Sequence, residues 1–335
     1  MNDIKRSKVL LLDVRTPSEY EEAHIPGALN LPLFTDEERA NVGTTYKQVS
    51  REEAILLGLS YVGPRMSDMV RQTTQLMGQY QSDEVELYCA RGGMRSASVA
   101  WLLGFYGLNV RVRPGGFKSY KALLPEFCSR IKNLVLLEGP TGSGKTIVLE
   151  ALEQLGGQVI DLEGIAQHHG SAFGNIPGVA QQRSNEMIAC LLIEKLSSFD
   201  LDRPIFLESE SKKVGSREVP DPLFDLMKQA GRIRLETPIE IRIDLIVKQY
   251  GGLNQEYLLT AFDKIRRRLG HEACDKAKAA VVDGNLSEAV RIALGYYDKA
   301  YQKSGNKLWC DKMLGSIPYE GDALSSASQI LKMFP

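Results

Sequence analysis

The sequence predicts an α/β protein of two domains, and three observations carry that reading. Short apolar runs alternate with stretches of helical spacing, the pattern of parallel sheets with crossover helices. Two of those runs lead straight into glycine-rich loops. The length, 335 residues with 43% hydrophobic and 25% charged, suits two ordinary cores better than one.

The elements follow in order. Lys8 to Val14 reads as a short buried strand, bounded by a polar start and by Pro17. Pro64 to Tyr80 has helical spacing, with Met66, Met69, Val70, Thr73, Leu76 and Met77 on one broad face. Val85 to Tyr88 reads as a strand that runs into Cys89 and a glycine-rich turn. A helix is expected from Ser96 to near Gly107, then a strand at Val110 to Val112. The polar segment Phe127 to Asn133 is the expected boundary, which places the domains at 1–128 and 133–335. Beyond it, Leu134 to Leu137, Gln158 to Leu162 and Ile205 to Leu207 read as strands of a second sheet. A helix is expected from about Lys145. After Glu240 the chain reads as mostly helical and rich in Lys and Arg, without internal repeats or low-complexity segments.

Net charge is -1, so no global basic field announces a nucleic-acid partner, and any RNA site must be a local patch. Two basic clusters qualify: Lys264, Arg266, Arg267 and Arg268 beside His271, and Arg232 with Arg234. Basic runs are as often plain solvated faces, so only several acting together would make a phosphate-binding surface. The five cysteines, Cys89, Cys128, Cys190, Cys274 and Cys310, are odd in number and widely spaced. They read as reduced thiols of a cytoplasmic protein. The apolar run near the start is too short for a signal sequence, and no stretch is long and apolar enough to span a bilayer. No membrane partner is expected.

Gly139-Pro140-Thr141-Gly142-Ser143-Gly144-Lys145-Thr146 satisfies the phosphate-loop pattern in full, after an apolar strand and before a helix. The glycines let the backbone curl so that its N–H groups, Ser143 included, point at phosphate oxygens, and the helix adds its positive end. Lys145 brings a point charge and Thr146 can hold Mg²⁺, the one candidate cofactor; no metal ligand set stands out with certainty. Glu208 ends the strand Ile205 to Leu207, where such a fold puts a metal-orienting acid, and Asp161 ends another. Strand-end carboxylates are common, so each is a candidate for metal or substrate or else a solvated terminus.

Cys89-Ala90-Arg91-Gly92-Gly93-Met94-Arg95-Ser96 lies between a strand and a helix. This arrangement makes an anion cradle: backbone N–H groups converge on the sulfur, and the helix opening at Ser96 adds its dipole. Arg91 and Arg95 bring charge. A catalytic thiolate here should titrate below the free value of about 8.5. A buried structural cysteine would not call for two glycines and two arginines directly after it.

These residues, with Asp13-Val14-Arg15, Glu19-Tyr20 and His24-Ile25-Pro26-Gly27-Ala28-Leu29-Asn30, resemble a rhodanese domain, whose loop cysteine carries sulfur as a persulfide. Asp13, Arg15 and His24 read as residues that hold that fold together. The loop is one residue longer than the usual one, as in rhodanese-fold phosphatases, so it suits a tetrahedral oxyanion as well as a chalcogen. Tyr88 stands where many of those phosphatases have a histidine.

A rhodanese-like domain followed directly by a P-loop NTPase-like domain with a helical C-terminal part is far more specific than either alone. Over nearly its whole length the chain is similar to the bacterial and archaeal tRNA 2-selenouridine synthase family. Asp161-Leu162-Glu163-Gly164, His168-His169-Gly170-Ser171-Ala172-Phe173-Gly174 and Glu208-Ser209-Glu210-Ser211 match its further signatures, except that His169 replaces an expected Arg. His168 and His169 are adjacent, which does not suit a structural zinc site. With Ser171 they read as substrate contacts in a glycine-flanked loop.

The resemblance implies a tRNA substrate with 2-thiouridine at the wobble position. It implies two steps: alkylation of the thiocarbonyl sulfur by geranyl diphosphate, then replacement of the S-geranyl group by selenium from selenophosphate. An enzyme that makes selenophosphate would act upstream. Neither step needs ATP, so Gly142, Gly144, Lys145 and Thr146 are expected to hold the diphosphate of geranyl diphosphate. The first alternative is an ATP-dependent kinase or ATPase with a sulfur-carrying or regulatory rhodanese domain. The second is a non-catalytic interaction module on a P-loop switch, in which Cys89→Ser would be silent.

Overall fold

A computed structural model describes residues 9–167, 182–209, 211–308 and 312–334. The chain divides into two compact units. One runs up to Leu123 and includes Ala189–Glu194; the other starts at Leu124 and lacks that segment. The division falls four residues before the expected boundary segment, so Phe127 and Cys128 lie with the C-terminal unit.

The N-terminal unit opens with β1 (Val9–Asp13), α1 (Pro17–Glu22) and β2 (Leu29–Asn30). Helices α2 (Asp36–Gln48), α3 (Arg51–Val62) and α4 (Met66–Tyr80) follow. Next come β3 (Glu84–Tyr88), α5 (Met94–Phe105), β4 (Val110–Val112) and α6 (Gly116–Lys121). Among the described residues the strands form one parallel sheet in the order β2-β1-β3-β4. Parallel strands are buried on both faces: Leu10, Leu12, Val85 and Leu87 are core residues, and the buried Glu86 of β3 is paired with Arg111 and Arg113. Thr16 caps α1 and Thr35 caps α2, each in a reciprocal pair with the glutamate three residues on. The helices α2 and α3 had no clear periodic signal, since α2 buries no residue and α3 buries only Ala54 and Gly58.

Below the core, Asp13 and Arg15 form a buried pair, Arg15 Nη2 to Asp13 Oδ2 at 2.6 Å. The same nitrogen donates to the Ala23 carbonyl, and the guanidinium lies 4.0 Å from the centre of the Phe117 ring. Truncating one partner of such a pair costs about 3–5 kcal/mol because it strands the other charge. His24 stacks on Tyr20 at 4.0 Å and contacts its carbonyl through Nδ1, so it too serves the fold.

In the C-terminal unit and the segments around it come α7 (Leu123–Arg130), β5 (Leu134–Glu138), α8 (Lys145–Gln154), β6 (Gln158–Ile160), α9 (Leu162–Ala166) and α10 (Asn185–Ser197). They are followed by β7 (Ile205–Glu208), the short antiparallel pair β8 (Lys213–Val214) and β9 (Arg217–Glu218), α11 (Asp221–Met227) and β10 (Gly231–Glu236). The chain then runs through α12 (Ile239–Tyr250), α13 (Gln255–Leu269), α14 (His271–Val282) and α15 (Leu286–Leu308) to β11 (Met313–Pro318) and α16 (Ala323–Lys332). Among the described residues a five-stranded parallel sheet has the order β11-β10-β5-β7-β6.

One expectation is corrected here. The strand expected from Gln158 to Leu162, edge strand β6 of this sheet, stops at Ile160, because Asp161 accepts from the Gly164 N–H and caps α9. The region after Glu240 is mostly helical, as expected, and β11 adds one sheet strand beside β10. Its half-exposed edge position leaves Met313 to Pro318 without a continuous apolar run.

Candidate functional sites on two glycine-rich loops

The phosphate loop leaves β5, the middle strand of its sheet, and enters α8. Gly142 and Gly144 have φ of +75° and +85°, which only glycine adopts without strain. Space is also tight: a Cβ on Gly142 would lie 2.6 Å from Ile246, and one on Gly144 would lie 2.9 Å from the Tyr319 ring. The loop's outward carbonyls are tied down. Thr141 O accepts from Arg242 Nε and Nη2 at 3.0 and 2.8 Å, and Arg242 is held by Asp298 at 2.6 Å. Ser143 O accepts from Thr237 Oγ1 at 2.8 Å.

The loop's side chains are poised for an anion with a hard cation. Lys145 Nζ donates to Gly139 O at 3.0 Å, which keeps the ammonium folded over the loop. Thr146 Oγ1 donates to Glu208 Oε1 at 2.7 Å, and Glu208 is buried at the end of β7, the strand next to β5. The Ser143 hydroxyl is buried without a hydrogen-bond partner, a cost that a ligand would relieve. A hydroxyl and a carboxylate beside a phosphate cradle are the oxygen donors Mg²⁺ takes, so these residues fit that ion.

Beside this loop the expectation for Arg232 and Arg234 needs correction. They lie on β10, and both pair with Glu138 at the end of β5, at 2.7 Å each. Arg232 is buried, so it is no part of an RNA-facing surface; Arg234 keeps an exposed side but spends its charge on Glu138. Burial, with Glu138 close by, pushes the Tyr301 hydroxyl up to about 12.

The cysteine loop leaves β3 and enters α5, whose first helical residue is Met94 rather than Ser96. Burial alone would push the Cys89 thiol up. Hydrogen bonds to sulfur from the Ser96 hydroxyl and from the backbone N–H groups of Arg91, Ser96 and Gly93 outweigh it, and the net direction is down. Ser96 Oγ lies 3.3 Å from Sγ. The contrast is Cys128, which burial pushes up to about 11.

Arg95, expected to charge this cradle, instead forms a two-pronged pair with Glu19, at 2.6 and 3.3 Å. Arg91 is exposed. The sulfur is therefore served by neutral donors. Gly92, at φ +66°, is packed against Arg113 O and the Gly115 and Gly116 N–H groups. A Cβ on Gly116 would lie 2.2 Å from the Cys89 carbonyl oxygen. The Gly115-Gly116 turn, which sequence reasoning missed, thus seats the loop, and Phe117 N–H holds the Cys89 carbonyl at 2.9 Å. Two adjacent glycines just after a strand were the signal.

Of the remaining candidates, Asp161 is exposed and occupied as a helix cap. His168 and Ser171 lie outside the described residues. Lys264, Arg267 and Arg268 are exposed on α13, whereas Arg266 is engaged by Asp263 and Asp275. The Arg242–Asp298 clamp and Tyr319 carried no local motif and were also missed.

The chain matches two described families in tandem. Residues 1–123 match the rhodanese-like domain, and residues 132–311 match the tRNA 2-selenouridine synthase AAA domain. The tRNA 2-selenouridine synthase of Psychromonas ingrahamii is 31% identical over 326 residues, covering 88% of this chain and 87% of that protein. The tRNA 2-selenouridine synthase of Nitrosomonas europaea is 36% identical over 246 residues, covering 72% of this chain and 63% of that protein.

Proposed function

Because the chain belongs to the tRNA 2-selenouridine synthase family, and so is an enzyme acting on tRNA, we propose that it converts wobble 2-thiouridine to 2-selenouridine in two transfers, one at each glycine-rich loop. In the first, the thiocarbonyl sulfur attacks the allylic carbon of geranyl diphosphate. A C–S bond forms, the C–O bond breaks, diphosphate leaves and the base gives up its N3 proton. Lys145 and the loop N–H groups stabilise the departing charge. Mg²⁺, held by Thr146 and Glu208, would neutralise part of it.

Alkylation turns a poor leaving group into a thiol. In the second transfer, selenium from selenophosphate adds at C2 of the base, the adduct expels geranylthiol, and water takes the phosphoryl group as phosphate. Cys89 and its ring of neutral donors are assigned to this step, where the lowered thiol and the loop N–H groups would hold and orient the selenium donor. The exposed Lys264, Arg267 and Arg268 are assigned to tRNA phosphates.

The observation that carries this reading is the chemical contrast of the loops: a thiol lowered by neutral donors on one, and an ammonium with a Thr146–Glu208 pair on the other. The test is nucleoside mass spectrometry of tRNA incubated with each variant, geranyl diphosphate and selenophosphate. Lys145→Ala should stop geranyl transfer yet still selenate tRNA that already carries S-geranyl-2-thiouridine. Cys89→Ser should accumulate the S-geranyl nucleoside. The reverse pattern would sink the assignment, and steady ATP hydrolysis without prenyl diphosphate would favour a nucleotide-driven enzyme.

A further inference from the structure

An apolar cavity, about 80 Å³ inside and continuing into open solvent, lies in the C-terminal unit among α12, α13 and α15. Thr141 and Gly142 of the phosphate loop form one wall. The others come from Ile246 and Tyr250 of α12, Phe262 of α13, and Val290, Ala293 and Leu294 of α15. Among the described residues no charged side chain lines it. Besides Thr141, only Gln249 and the tyrosines bring polar groups. The Tyr297 hydroxyl at its wall is buried without a hydrogen-bond partner.

We infer that this cavity holds the hydrocarbon tail of a prenyl diphosphate whose diphosphate sits on the phosphate loop. The inference rests on the reading that the loop binds a prenyl diphosphate, and adds where the chain goes. Three features support it. The peptide Thr141–Gly142 belongs to both cavity and loop, so one ligand can span them. The walls are aliphatic and aromatic, which suits an unsaturated hydrocarbon. A nucleoside would instead leave ribose hydroxyls and ring nitrogens against walls with few partners, at a cost per unpaired group. Finally, α12 couples the two halves of the site. Arg242 ties down the Thr141 carbonyl, and Ile246, one turn on, packs against Gly142 and lines the cavity. An apolar enclosure also keeps water away from the allylic carbon as diphosphate leaves.

Calorimetric titration of the full-length protein with Mg²⁺ tests this, using inorganic diphosphate and dimethylallyl, geranyl and farnesyl diphosphates as probes. Affinity should climb from inorganic diphosphate to geranyl diphosphate, by up to about fourfold per buried methylene. Ala293→Phe fills the cavity and should weaken geranyl diphosphate by about tenfold or more while sparing inorganic diphosphate. Leu294→Ala enlarges it and should move the preference toward farnesyl diphosphate, a gain that misfolding cannot mimic. An unchanged chain-length order in both variants overturns the inference, as does a wild-type protein that binds geranyl diphosphate no more tightly than inorganic diphosphate. Lys145→Ala separates the two levels. If it leaves geranyl diphosphate binding intact, the phosphate-loop reading falls. If it abolishes binding while the cavity variants keep the wild-type order, only the tail assignment falls.

Discussion

The cysteine loop and the phosphate loop are built alike: a buried parallel strand, a left-handed glycine, then a helix whose first N–H groups face the bend. They differ in how charge is handled. Around Cys89 the cations are drawn off, Arg95 to Glu19 and Arg91 to solvent, so that neutral dipoles alone face the sulfur. Around the phosphate loop a full cation stays in place and hard oxygens gather at Thr146 and Glu208. Neutral donors suffice for one soft negative charge, whereas a diphosphate carries several and needs an ammonium and a metal. The same backbone device thus serves two chemistries, and the side chains around the bend decide which.

Perturbing one loop should leave the other intact, and the largest effect is expected at Gly116. Gly116→Ala forces a Cβ against the Cys89 carbonyl at a left-handed position, which should cost about 2 kcal/mol or more. A lower melting temperature and lost selenium incorporation are expected, with diphosphate binding retained in titrations of the same variant. Glu208→Gln should come next. Removing the acid that Thr146 bonds should slow geranyl transfer by about 100-fold, on the scale of one lost transition-state contact, while tRNA affinity holds. Equal loss of both would make Glu208 a structural residue.

A smaller effect is expected from Ser96→Ala, which removes a donor to the thiolate and so raises the Cys89 titration toward the ordinary thiol range. Selenium incorporation falls as pH drops through the thiol's titration, so this variant should lose it at a higher pH than the wild type. Ultraviolet thiolate absorbance, with Cys89→Ser as blank, reads the shift directly; an unmoved midpoint would leave the backbone N–H groups as the whole cause. Least affected should be RNA binding on replacement of Lys264, Arg267 and Arg268 by Ala. The salt slope of tRNA affinity should shrink by about 1 per residue, and Arg266→Ala, already paired with acids, should change it less. A slope unmoved by the triple change would remove α13 from the RNA surface.

What was legible in the sequence was local. The phosphate-loop spacing and the cysteine loop each sit within eight residues of chain, and glycine, lysine and cysteine declare their backbone and chemical roles by type. What escaped was made by pairing distant segments. Arg232 and Arg234 looked like a basic surface because Glu138, which takes their charge, lies far back in the sequence and meets them only when β10 pairs with β5. Arg242 and Asp298 come together across α12 and α15. Arg95 looked like an anion contact until α1 brought Glu19 to it. Helices α2 and α3 bury too few side chains for periodicity to show.

Tyr319 packs its ring against Gly144, and β11, which leads to it, pairs with β10 beside the strand that feeds the phosphate loop. A ribosome makes the chain in the opposite order of importance: the loop at 139–146 emerges long before the residue that braces it. Until synthesis has passed Tyr319, the nascent loop lacks its backstop, so phosphate affinity should switch on late. A chain cut after residue 308 should keep the motif and lose the grip.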